Sequence, residues 1–310
     1  MKKLLIKLSA ATIPFMVLSL VLNIIFSKSY WWNSFSTEQE KFRNVPKNIQ
    51  IANVGSSLTD VGLDYEDFPE YVTFNFALMW QHNIFNYYVF KNYVDNFAQN
   101  SILLIPISYF DITRIENEPI WRYYTFLSKD NIPGWKLKDY ILYKYLPLFS
   151  IKNAWKTFIN MNNKQYWMGK NNTTYEDFLS QSEMYFSWWM GNDPDIEKGE
   201  EGFKYNIEAV SKIIELCYEK DIVPILISTP IMDCLNDKYS EAGFFDIFYR
   251  FTDELKEKYP SLIYLDYSHD EAYSKDYWSF FIDPAHLTKS GAKKFTAQII
   301  NDLKNAKLLQ

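Results

Sequence analysis

A chain of 310 residues, 48% of them apolar, has the material for a sizeable core, which excludes disorder as its default state. Its net charge is −6, and the body is more acidic still once Lys2, Lys3 and Lys7 are set apart; without a basic stripe, nucleic acid is excluded as a partner and tight binding of a bare polyanion is disfavoured. Two cysteines, Cys217 and Cys234, form no CxxC pair and have no histidines at ligand spacing, which argues against zinc and leaves a disulfide and buried free thiols as alternatives.

In chain order, the first element is an apolar stretch from Leu8 to Phe26 behind the three lysines. At about 1.5 Å per residue it is long enough to span a bilayer. Lysines before it and Tyr30, Trp31 and Trp32 after it place the N-terminus in the cytoplasm and the rest of the chain outside. The stretch exceeds a usual signal-peptide core, and no small-x-small cleavage site follows Phe26, so residues 1–28 read as an uncleaved single-pass anchor. Residues 29–47 read as a stalk or linker.

Residues 48–310 read as one domain. Short strand patterns at 49–54, 71–74 and 102–107 come first, with an amphipathic helix from about 81 to 97 before the third. A segment of about 109–202, rich in Tyr, Trp, Phe and Asn and without clean periodicity, reads as an insertion, expected to form a cap. It contains two overlapping glycosylation sequons in Asn171-Asn172-Thr173-Thr174, a short match common in an Asn-rich chain. Alternation then resumes: helix 203–219, strand 222–228, helix 244–258, strand 262–266 and helix 289–304. Strands separated by helices predict a three-layer α/β/α sandwich with a parallel sheet, whose ligands gather beyond the carboxyl ends of the strands.

Two motifs fall at such ends. Gly55-Ser56-Ser57 follows the first strand: the glycine permits a sharp turn, and a serine opening a helical turn gains backbone N–H groups that can stabilise an oxyanion. Taken alone, it reads better as a capped helix start. The second is Asp283-Pro284-Ala285-His286-Leu287, with Gly291 beyond it. An Asp three residues before a His in a tight loop can bind one ring nitrogen and leave the other to take a proton from serine. The remaining histidines rank lower: His82 falls within an amphipathic helix pattern, and His269 has no nucleophile motif beside it.

With Gly55, Ser57, Asp283 and His286 in these places, the chain resembles the SGNH, or GDSL-like, hydrolase superfamily from about Ile49 to the C-terminus, apart from the insertion. The resemblance implies a flavodoxin-like sheet and a catalytic triad of Ser57, Asp283 and His286. It also implies a glycine after the second strand and an asparagine after the third as oxyanion donors. This chain has Asn75-Phe76-Ala77 and Ser108-Tyr109 there, so Asn75 and Ser108 are the substitute candidates, with Ser56 beside the nucleophile. This degeneracy is similar to the membrane-anchored branches that transfer D-alanyl groups or O-acetylate alginate. The expected activity is therefore an extracytoplasmic esterase or O-acyltransferase that needs no metal or organic cofactor. Its acceptor would be an envelope glycan or teichoic-type polymer and its acyl group acetyl or alanyl, delivered by a polytopic membrane acyltransferase. The rival expectation is a non-catalytic binding or assembly protein on the same fold.

Overall fold

The apolar runs read as strands form one parallel sheet. β1 (Ile49–Asn53), β2 (Thr73–Asn75), β3 (Phe97–Pro106), β4 (Val223–Ser228) and β5 (Ile263–Asp266) stand in the order β2-β1-β3-β4-β5, and every neighbouring pair is parallel. The direction of winding reverses between β1 and β3, so the loops leaving these two strands open at the switch point of the sheet, where α/β folds hold their ligands. The computed structural model describes residues 2–109, 111–115, 120–150, 154–160, 174–190, 196–273 and 275–309; side chains are described there except at 2–11, 34–38, 154, 155, 160, 188–190, 196–198 and 275–277. Residues 171–173 of the sequons lie outside the described residues.

Helices cover both faces of the sheet. On one face Ile102 and Leu104 of β3 and Ile225 and Ile227 of β4 pack with Phe295, Ile299 and Leu303 of the last helix, Lys289–Asn305. Strand side chains alternate, so the fully buried Leu103, Ile105 and Leu226 serve the opposite face. Helices Asn83–Tyr93 and Phe244–Lys258 each pack on Ile196–Glu219. Burial of both faces explains why β3 and β4 read as continuous apolar runs rather than alternating ones. A further helix, Asp233–Glu241, follows β4, and a small antiparallel hairpin of β6 (Phe281–Asp283) and β7 (His286–Leu287) precedes the last helix.

The chain divides into two units: Met1–Asn44 with Pro119–Gln165, and Val45–Glu118 with Tyr166–Gln310, the second holding the sheet. The aromatic segment is thus shared between them. Its middle part, from Pro119 to Gln165, clusters with the N-terminal helices, while its first residues belong to the sheet unit and the helix Tyr175–Met190 packs on Asp233–Glu241 there. Tertiary contacts made this division, which no local periodicity announces.

In the first unit, the apolar stretch lies in a helix, Lys2–Ser27, and residues 29–47, expected as a linker, are largely helical: Tyr30–Glu40 follows, then a 3-10 turn, Lys41–Asn44. Ser29 starts the second helix by accepting the Trp32 N–H at 3.2 Å, a capping signal inside a polar stretch. Gln39 is buried and accepts from Thr125 Oγ1 at 2.7 Å, and Phe42 stacks on Phe126 with centroids 4.0 Å apart. Among the described residues no helix is long and apolar enough to cross a membrane.

Candidate active site

β1 ends at Asn53 and the chain turns at once. Gly55 holds φ +134°, a conformation closed to side-chain-bearing residues, and a Cβ there would lie 2.1 Å from Thr59 Oγ1 and 2.5 Å from Pro106 Cγ. The turn delivers Ser57 to the first position of a one-turn helix, Ser57–Asp60, with Ser56 extended before it. The turn's hydrogen-bond ladder begins with the Thr59 and Asp60 N–H groups on Ser56 O, so the Ser57 and Leu58 N–H groups precede it.

Facing Ser57 is the hairpin. Asp283 and His286 are cross-strand partners with Pro284-Ala285 as the two-residue turn between them, and the Met232 N–H fastens Pro284 O at 2.9 Å. His286 Nε2 lies 2.8 Å from Ser57 Oγ, and its Nδ1 lies 2.8 and 2.9 Å from the two Asp283 carboxylate oxygens. Asp283 is fully buried and also accepts the backbone N–H groups of Ala285 and His286 and the Tyr185 hydroxyl, each at 2.9 Å. Burial alone would raise this carboxyl; the adjacent His286 and the donors outweigh it and hold Asp283 below the ordinary carboxylate range. An ionised carboxylate only accepts, so Nδ1 carries the imidazole proton, Nε2 is the acceptor, and Ser57 donates to it. Leu287 is buried, and a Cβ at Gly291 would meet Phe280 O at 2.3 Å, so both residues that keep step with the late motif hold the hairpin against the last helix.

The structure thus joins Ser57, Asp283 and His286, which are 229 residues apart between the serine and the histidine. It engages the substitute oxyanion candidates elsewhere. The Asn75 amide donates to Thr59 O at 2.9 Å and accepts from Asn53 and from the Ala77 N–H, which makes it a clamp on the nucleophile turn. Ser108 is buried and donates to Asp111 Oδ2 at 2.8 Å. Ser56 lines the pocket above Ser57. Cys217 and Cys234 are free and buried; Ser182 donates to Cys234 Sγ at 2.9 Å, and burial pushes the Cys217 thiol well up. His269 packs edge-on against Phe245, 4.9 Å between centroids.

Local patterns ranked His82 low and left the other contributors unmarked. His82 is the residue before the helix Asn83–Tyr93 rather than inside it, and it lines the pocket over Ser57 together with Trp80, Asp111 and Arg114. Trp80 sits at φ +61°, a strained setting for a bulky side chain of the kind that concentrates at functional sites. Behind the pocket runs a buried chain of amides. Gln81 donates to Asn86, Asn86 to Asn83 and Asn83 to Asn206, whose own amide holds the carbonyls of Arg114 and Gly202. Asn86 Oδ1 also accepts the Gly55 N–H at 2.9 Å, so one network fixes both the nucleophile turn and the Arg114 loop.

Tyr185 is a further contributor, a positioning residue whose buried hydroxyl stays protonated because burial and the adjacent Asp283 raise its pKa. Tyr185→Phe removes one donor from a carboxylate. We expect a loss of about 1.5–3 kcal/mol in stability, the range for hydrogen bonds to charged groups, read by urea unfolding. An unchanged midpoint would show that this bond contributes nothing.

No family model matches this chain, and no curated protein matches it.

Proposed function

We propose that the chain is a serine esterase or O-acyltransferase of the SGNH type working through an acyl-serine on Ser57. The observation that carries this reading is the unbroken hydrogen-bond chain from Ser57 through His286 to the buried Asp283. Ser57 Oγ attacks the acyl carbonyl carbon while its proton passes to His286 Nε2, and Asp283 stabilises the imidazolium. The tetrahedral adduct collapses, the ester C–O bond breaks, and the leaving alkoxide takes the proton from Nε2. An acceptor hydroxyl, or water, then attacks the acyl-serine with His286 again as base; the bond from the acyl carbon to Ser57 Oγ breaks, and Nε2 returns the proton to Oγ. The Ser57 and Leu58 N–H groups, ahead of the turn's ladder, are the backbone donors at hand for the oxyanion. No step needs a metal or organic cofactor.

The proposed location is the cell membrane, with residues 8–26 as a single-pass anchor, the N-terminus cytoplasmic and the sheet unit outside. Support comes from the exposed apolar side chains along the N-terminal helix, Phe15 at 70% and Leu18 at 56% among them, which water alone would not favour. An envelope glycan or teichoic-type polymer carrying acetyl or alanyl esters is the proposed substrate, with a polytopic acyltransferase as donor. Transfer is favoured over release to water where an acceptor is bound beside the acyl-serine, since well-oriented groups reach effective molarities on the order of 10⁵ M or more. Protease added to intact protoplasts should digest the sheet unit; full protection would remove the envelope role.

The test of the activity is mass spectrometry of envelope polymer from cells with wild-type protein or His286→Ala. Loss of ester-linked acyl groups in the variant supports transfer, and their accumulation supports an esterase. No change in any envelope ester would favour the binding-module reading, which the engagement of Asn75 and Ser108 away from Ser57 supports.

A further inference from the structure

We infer that the helix Leu137–Tyr145 of the first unit rests on an anionic lipid surface as a second membrane contact beside the N-terminal helix. None of its residues is buried. Leu137, Ile141 and Tyr145 are 58%, 46% and 63% exposed, and Phe149 just beyond is 49% exposed. At about 100° per residue the first three fall within an arc of about 80°, a continuous apolar stripe.

Charge brackets that stripe. Lys144 and Lys138 lie on its two edges, Lys136 precedes the helix, and Asp139 falls on the far side. Lys144 Nζ sits 5.8 and 5.5 Å from the ring centroids of Tyr140 and Tyr145, its stem laid along aromatic surface with the ammonium at the rim. In a chain of net charge −6 this is a local basic-aromatic face, the pattern of helices that lie in an anionic bilayer interface.

The helix is also tied to the apolar one. Asn23 is buried; its Nδ2 donates to Tyr145 O at 3.2 Å and its Oδ1 accepts the Leu148 N–H at 3.1 Å. The bond satisfies a carbonyl at the helix C-terminus without water, as a site at the edge of hydrocarbon requires. Beneath lie Trp32, Trp121 and Tyr143, stacked or tilted with centroids 5.4 to 5.9 Å apart, residues suited to the headgroup layer. Lipid fits this face better than a second copy of the chain, because a two-fold contact through the same stripe would bring the bracketing lysines together.

This inference rests on the proposed membrane location, and the experiment separates the two. The full chain is reconstituted into phosphatidylcholine vesicles with and without phosphatidylglycerol, carrying an environment-sensitive dye on one introduced cysteine: Ile141→Cys, Asp139→Cys or Val17→Cys. Cys217 and Cys234 are buried and do not compete for label. Nitroxide lipids should quench the Ile141 probe at least about twofold more than the Asp139 probe, and more strongly with phosphatidylglycerol present. Adding Lys138→Glu and Lys144→Glu should erase that lipid dependence. If Val17 is quenched and Ile141 is not, the second contact is wrong and the anchor stands; if neither is quenched, both are wrong. An Ile141 probe shielded from aqueous iodide and from lipid alike, with crosslinks to another copy, would give the face a protein occupant and overturn the inference.

Discussion

Ser57→Ala will abolish labelling by a fluorophosphonate and lower hydrolysis of a small activated ester by about 10⁴-fold or more. The basis is the 2.8 Å contact to His286 Nε2, which makes Ser57 Oγ the hydroxyl placed to be deprotonated. Ser56→Ala should weaken labelling only modestly, because the Ser56 side chain makes no capping bond and supplies pocket wall. Asp283→Asn should lose on the order of 10⁴ in kcat, since an amide can donate to Nδ1 and turn the imidazole into the wrong tautomer. The double variant Ser57→Ala, His286→Ala should be little worse than either single one, as groups acting as a unit are not additive. Persistent labelling of Ser57→Ala, or its transfer to the Ser56→Ala loss, would reassign the nucleophile.

Gly55→Ala should be strongly destabilising to the sheet unit. Its Cβ has to displace Thr59 Oγ1, which itself donates to Val54 O at 3.0 Å, and the ring of Pro106 at the end of β3. Neither can withdraw freely, and alanine is strained at φ +134° besides. We expect a loss of about 3 kcal/mol or more. In a unit of this size that is a fall of roughly 6–12 °C in Tm. Gly243→Ala is the control. That glycine has φ +74° but open space around it, so only the conformational penalty of about 1 kcal/mol applies. Equal losses at the two positions would mean that strain alone, and not the packing of the nucleophile turn, sets the requirement for Gly55.

The pattern of strands and the three residues joined at the site were legible in the sequence because each signal is local. Val223–Ser228 is a contiguous apolar strand, and Asp283 and His286 are cross-strand neighbours in one hairpin. What escaped is non-local. Tyr185 reaches Asp283 from a helix 98 residues upstream, inside a segment with no periodicity to place it. Arg114 is set by an amide on Asn206, and His82 left its expected helix because the chain turns through the left-handed Trp80 just before it. Asn75 and Ser108 were sound guesses by residue type, but type does not say which neighbour a side chain will choose. The helix Tyr30–Glu40 was hidden by its polar composition, with Ser29 as its one local sign.

The amide chain of Gln81, Asn86, Asn83 and Asn206 has a bearing on acidity. None of these groups gains or loses a proton in ordinary buffers, so the scaffold behind the nucleophile is electrically inert. Asp283 is depressed, so its contribution to stability is complete above the ordinary value of 3.8 and fades only as pH falls through the lower folded value. Between that point and neutrality the turn that aims Ser57 keeps its shape. An activity that declines on mild acidification should therefore recover at once on return to neutral buffer, with no slow rebuilding of the site.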